Sequence, residues 1–290
     1  MVRNPPLSVC FLIWYIVQVH MNPNKALWEK GDFTQIAGLM RESGEAFVAS
    51  LGIQPPVRVL DLGCGDGTTA VPLARLGAEV VGIDIASNLV DAGNKRAAGA
   101  GLHNLKFQEG DACNLQGVGD HSFDLTLSMF GAMFAPKPFD VASEMVRVTK
   151  PSGRVVMGNW IPNDPTFAAQ VLKISSSFMP PPPEGFVSPM TWGVDTHVIE
   201  RFGKAGVPRE HISLVKDTFV FVFPDKGPAE VIELFRRFYG PTMNAFEAAE
   251  KNGKVEELHA QLVELAKSQN TSKDSGTSIA ATFLRVTVSL

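Results

Sequence analysis

The sequence contains no run of lysine or arginine. Its formal charge of −4 is spread along 290 residues, so no stretch can neutralise successive phosphates or dock on anionic lipid. Nucleic acid is therefore not an expected partner. Cysteine is scarce as well: Cys10, Cys64 and Cys113 are an odd count, widely spaced, and none forms a CxxC or Cys/His cluster with metal-ligand spacing. No metal centre is expected, and a reducing, cytoplasmic setting is. The apolar run at 7–19 (LSVCFLIWYIVQV) follows a lone Arg3, as in a secretory signal, but no small-residue cleavage site succeeds it. It also falls short of the ~20 residues that a membrane-spanning helix needs, so no integral span is expected. Residues 1–20 are read as an extension outside the fold, with a membrane anchor as the alternative, and Met21 as the proper start.

What is present is ample apolar material, 45% of residues, enough for a sizeable core. Residues 21–56 form a helical lead-in, with Ile36, Leu39, Met40, Phe47, Val48 and Leu51 at helical spacing. From 57 to 162 strand and helix patterns alternate. Strands are expected at 57–62, 79–85, 105–108, 123–129 and 154–160, and helices at 68–76, 87–98 and 138–148. Such alternation implies parallel strands joined by right-handed crossovers, a doubly wound α/β sheet of Rossmann type. Its ligand is expected beyond the carboxyl ends of the strands, where the strand order reverses.

Residues 163–290 are expected to supply acceptor-side lid elements and two closing strands, at 212–223 and 282–288, for a seven-stranded sheet. Helices are expected at 163–178, 229–238 and 244–266. The four prolines at 180–183 cannot be helical and are read as a spacer bridging over the site.

The densest chemical signal is VLDLGCGDG at 59–67, where a buried strand must turn into a helix. Glycines permit a tight positive-φ turn there, and they let a ligand lie against bare backbone. Asp84, in VVGIDI, ends the next strand about 20 residues later, the spacing at which a carboxylate accepts ribose hydroxyls. Residues 65–70 (GDGTTA) also fit the dinucleotide form G-x-G-x-x-A, so an NAD(P)-dependent oxidoreductase stays open. Asp61 and Asp66, however, would flank the diphosphate of such a ligand and repel it. Carboxylates suit a cationic adenosine instead, and S-adenosylmethionine (SAM) is one.

Five segments carry a family resemblance: VLDLGCGDG, GIDIAS, EGDACNL, SFDLTLSMFG and EMVRVTKPSGRVVM. In this order they resemble the class I SAM-dependent methyltransferases, particularly the quinone-methylating branch and its small-molecule relatives. SAM, with its ammonium and sulfonium, would be held by Asp61 and the turn amides, and the resemblance implies that Gly63, Cys64 and Gly65 contact it through backbone. It further implies that Asp84, with Ile85 beside it, takes the ribose. Asp111 would bind the adenine amino group, Ala112 would offer an amide to the ring, and Met129 and Phe130 would border the reactive methyl. Ser152 stands where the family usually has glycine. GAMFAPKPF lacks the Asn/Asp-Pro-Pro-aromatic tetrad of enzymes that methylate exocyclic amines.

The expected acceptor is small and aromatic or lipophilic. Its pocket is expected from Trp28, Phe33, Trp160, residues 180–192, Phe235, Phe238, Tyr239, Met243 and Phe246. General-base candidates are His197, Asp195 and Tyr239, with Glu184 and His211 behind them; none has diagnostic spacing. A SAM-binding module without catalysis is the third reading, in which residues 180–192 plug the site. Oligomeric state leaves no readable signal.

Overall fold

A computed structural model describes residues 24–290; the extension at 1–20 lies outside the described residues. The five parallel strands are β1 (Arg58–Leu62), β2 (Glu79–Asp84), β3 (Leu105–Glu109), β4 (Phe123–Met129) and β5 (Thr149–Trp160). Two antiparallel strands follow, β6 (Ile212–Phe223) and β7 (Thr277–Ser289), and the sheet order is β3-β2-β1-β4-β5-β7-β6. This is the expected seven-stranded α/β sheet. Its order reverses between β1 and β4, which leaves a crevice at their carboxyl ends.

The lead-in is three short pieces rather than one helix: α1 (Asn24–Glu29), α2 (Thr34–Ala37) and α3 (Arg41–Ser50). The break at Gly31 has a packing cause. A Cβ there would lie 2.7 Å from the Phe238 carbonyl oxygen and 2.8 Å from the Met243 sulfur. The crossover helices are α4 (Ala70–Arg75), α5 (Ser87–Gly99) and α6 (Pro138–Val148), whose first turn carries Pro138 where a missing N–H costs nothing.

After β5 come α7 (Phe167–Ser177), α8 (Asp195–Lys204), α9 (Pro228–Phe238), α10 (Gly240–Lys251) and α11 (Val255–Gln269). The single helix expected at 244–266 is thus two. Gly253, at φ +65°, turns the chain between them in a conformation that side chains resist. Both β5 and β7 run longer than their apolar cores predict: β5 starts at Thr149, paired with Phe123 of β4, and β7 starts at Thr277, with 277–282 pairing with β6 alone. Helices α1, α2, α7 and α9 all supply side chains to the walls of cavities that open near this crevice. No helix among the described residues is long and apolar enough to cross a membrane.

Candidate functional site

The bend after β1 is built by glycines under real constraint. Gly63, Gly65 and Gly67 all have positive φ. Gly63 also packs back to back with Gly131, which follows β4: a Cβ on Gly63 would lie 2.7 Å from the Gly131 Cα. A Cβ on Gly65 would meet nothing within 4 Å, so this side of its backbone faces open space. That space is a cleft of about 990 Å³ lined by the β1 bend, the ends of β2 and β4, and Gly110 to Ala112.

The bend's amides point the other way. The N–H groups of Gly63 and Cys64 donate to the Ile83 carbonyl at 2.7 and 3.2 Å, and that of Gly65 donates to the Asp84 carboxylate at 2.8 Å. Strand pairing between β1 and β2 thus continues into the bend and uses the donors that the sequence reading had offered to a ligand. What the bend presents is open backbone surface. The Cys64 thiol is buried, and desolvation pushes its pKa well up, which leaves it inert.

Asp84 fastens this bend to the next helix: one oxygen accepts from Gly65 and the other from the Ala86 amide at 2.9 Å. It lines the cleft beside Ile85. Burial raises its pKa, and the backbone bonds oppose that rise. Asp111 also lines the cleft, with one oxygen accepting from the Cys113 amide at 2.8 Å, and Ala112 lies beside it on the wall. Met129 and Phe130 complete the β4 side.

Two acids behave otherwise than expected. Asp66 is paired with Arg41 at 2.6 Å, and Arg96 lies 3.8 Å away, so its charge is compensated. Asp61 is completely buried and stands behind the wall, holding the Thr69 hydroxyl at 2.6 Å; its other oxygen has no hydrogen-bond partner among the described residues. Burial, and then the neighbouring Asp84, push the Asp61 carboxyl up to about 7. A raised acid pKa stabilises the fold at low pH, and the benefit is lost as pH rises from about 4 to about 7. Asp61→Asn should therefore unfold at a higher temperature than the parent, with a gap that widens over that range and is constant above it. Melting curves from pH 4 to pH 9 check this; a pH-independent gap would refute it.

Among the described residues the wall of the cleft carries Asp66, Asp84 and Asp111 and no lysine, arginine or histidine; Lys25 stands at its edge, donating to the Ile85 carbonyl at 3.0 Å. With Asp66 compensated by Arg41, Asp84 and Asp111 are the carboxylates left facing the cleft. A diphosphate is unwelcome beside these carboxylates, and a cationic ligand finds Asp84, Asp111 and a bare glycine bend.

A second cavity, of about 450 Å³, shares walls with the first. Trp28, Phe33, Trp160, Phe235 and Tyr239 line it as expected, joined by Phe134, Phe167 and Phe221. Phe238, Met243 and Phe246 do not, nor does any residue from 180–192. That segment does not bridge the site. Phe186 and Val187 are exposed, and Trp192 is buried under the Arg201 guanidinium, 4.5 Å from its ring. The sequence reading missed Phe219 and Phe221 as cavity walls, although their alternation with Phe223 marks one aromatic face of β6. Among the base candidates, Tyr239 alone lines a cavity. Asp195 and His197, on α8, and Glu184 and His211 are exposed and line neither.

Comparison with known proteins agrees with this geometry. A methyltransferase domain family model matches residues 60–157, the part of the chain that builds the cleft. An uncharacterized protein of Mycobacterium tuberculosis is 31% identical over 254 residues, covering 86% of this chain and 89% of that protein. A demethylmenaquinone methyltransferase of Renibacterium salmoninarum is 34% identical over 130 residues, 45% of this chain and 52% of its own. The crystal structure of the YcgJ protein from Bacillus subtilis shares the fold, with a TM-score of 0.52, 17% identity, and coverage of 85% of this chain and 97% of that one. The chain belongs to the class I methyltransferase family.

Proposed function

We propose that this protein is a SAM-dependent methyltransferase that transfers the sulfonium methyl by in-line displacement to a small, flat or lipophilic acceptor. The observation that carries the reading is the charge of the cleft wall: three carboxylates, one of them compensated, and no basic residue among the described residues that line it, at the switch point of the sheet.

In this reading Asp84 accepts from the ribose hydroxyls with lone pairs left over from Gly65 and Ala86. Asp111 and the Ala112 amide read the adenine. Gly65 gives the ligand bare backbone to lie on, and Met129 and Phe130 border the sulfonium. The donor supplies an electrophilic methyl group. The protein's part is to align the acceptor, exclude water and avoid opposing the charge as it shifts.

The second cavity supports an apolar acceptor, because its walls are aromatic and aliphatic and Tyr239 is the one ionisable group among the described residues that line it. Burial pushes the Tyr239 hydroxyl upward, so at neutral pH it is a hydrogen-bonding handle and not a base. Tyr239→Phe should accordingly raise the acceptor KM about three- to tenfold, the worth of one neutral hydrogen bond, and leave kcat within about twofold. A collapse of kcat in steady-state assays would restore Tyr239 as a proton acceptor.

The test of the function is a thermal-shift comparison of SAM, S-adenosylhomocysteine and NADH. It is followed by S-adenosylhomocysteine release across phenols, quinols, amines and thiols. Stabilisation by the two adenosyl compounds, by several kcal/mol at about a thousandfold excess over Kd, is expected; stabilisation by NADH alone would reverse the assignment to an oxidoreductase. The reading as a non-catalytic module loses its support, since residues 180–192 line neither cavity.

A further inference from the structure

Phe130 has a backbone conformation that its side chain makes costly. Its φ is +61°, in the left-handed region that a bulky residue seldom occupies, and it sits directly after β4. The surroundings hold it there from both sides. Its N–H donates to the Gly158 carbonyl at 2.9 Å. The next residue, Gly131, is wedged against Gly63, and the Ala132 amide is held by the Ser128 hydroxyl at 2.9 Å.

The consequence is where the ring goes. It stacks on Trp160 with centroids 3.7 Å apart and planes 6° apart, while Phe219 and Phe283 meet it at nearly right angles. Among the described residues five line both cavities, and four of them belong to the lead-in or to the short turn carrying Phe134; Phe130 is the one held directly at a strand end. An ordinary φ at this position would send the side chain elsewhere and leave the two cavities without a common rigid wall.

Resting on the donor and acceptor reading above, we propose that Phe130 is the specificity-determining wall of the acceptor site. Backed by Trp160, its ring is a fixed flat surface on which a planar apolar acceptor lies, and its place at the junction decides which edge of that acceptor meets the donor. It is a positioning residue. The fold tolerates the strained backbone because this ring direction has no unstrained equivalent.

The experiment measures binding of 2-naphthol, a neutral flat bicyclic probe, by quenching of tryptophan emission in the parent, F130L, F130A and F130G proteins. Binding of S-adenosylhomocysteine is measured beside it by calorimetry. The parent should bind 2-naphthol, and F130L should bind it about threefold and F130A at least about tenfold more weakly; because Phe130 also borders the donor, S-adenosylhomocysteine affinity should fall too, but several-fold less than that for 2-naphthol. F130G should unfold at a higher temperature than F130A, since glycine alone escapes the left-handed strain. No 2-naphthol binding by the parent, an F130A protein that binds it like the parent, or equal losses of both ligands in F130A would overturn the proposal. F130A melting above F130G would do so too. A parent that binds 2-naphthol in a Phe130-dependent way but binds no S-adenosylhomocysteine would instead sink the donor reading and leave this wall standing.

Discussion

Asp84→Asn is expected to weaken SAM binding by on the order of 100-fold or more. Two effects combine. The substitution removes the charge that strengthens hydrogen bonds from a ribose, each worth about 1.5–3 kcal/mol when the acceptor is ionised. It also places an amide NH₂ where a carboxylate oxygen now accepts from either Gly65 or Ala86, both backbone donors. Two donors cannot satisfy one another, so one end of the fastening between the glycine bend and α5 must open. Isothermal titration with SAM and S-adenosylhomocysteine reads the loss. Asp111→Asn, which removes the charge while the Cys113 amide can still be accepted, should cost about tenfold. Equal affinities for the parent and Asp84→Asn would remove the ribose from this carboxylate.

Gly131→Ala should be the most destabilising single methyl in the donor half of the molecule. The backbone at Gly131 has φ −92°, which alanine adopts freely, so conformational strain is not the cause. Contact is. The added carbon would lie 2.2 Å from the Gly63 carbonyl oxygen and 2.7 Å from its Cα, both backbone atoms in a bend already held by Ile83. Neither side can swing away, and overpacking of this kind costs about 2–4 kcal/mol, a Tm lower by roughly 5–10 °C. Donor affinity should fall with it, because Gly63 has to move. Gly99→Ala, on the exposed end of α5 with open space around it, is the control and should be neutral or slightly stabilising. Denaturant midpoints of the two variants decide the matter; similar midpoints would show that the β1 and β4 ends yield more readily than their packing implies.

The donor side was legible in the sequence because its chemistry is local. Glycines 63, 65 and 67 must stand where the chain bends with positive φ, and a short apolar strand must precede them, so motif and geometry are one constraint. Asp84 is placed by the length of one βα unit. The alternation of patterns up to Trp160 was read closely for the same reason, since each strand and helix satisfies its own backbone within a few residues.

What failed to read was whatever depends on a partner distant in the chain. Asp66 looks like a free acid beside the ligand until Arg41, 25 residues earlier, is seen on its carboxylate. His197 and Asp195 have the chemistry of bases, yet α8 turns them to solvent and buries Val198 and Phe202 instead. The proline run at 180–183 carries no information about which side of the sheet it passes.

By itself, then, the amino-acid order determined the sheet, the bend and the acids around it, because periodicity and turn chemistry act over one or two elements. Only the tertiary structure decided which amides stay free, which charges are cancelled and which aromatic rings meet. Hydrogen bonds, ion pairs and ring contacts between remote segments depend on distances that no spacing along the chain encodes.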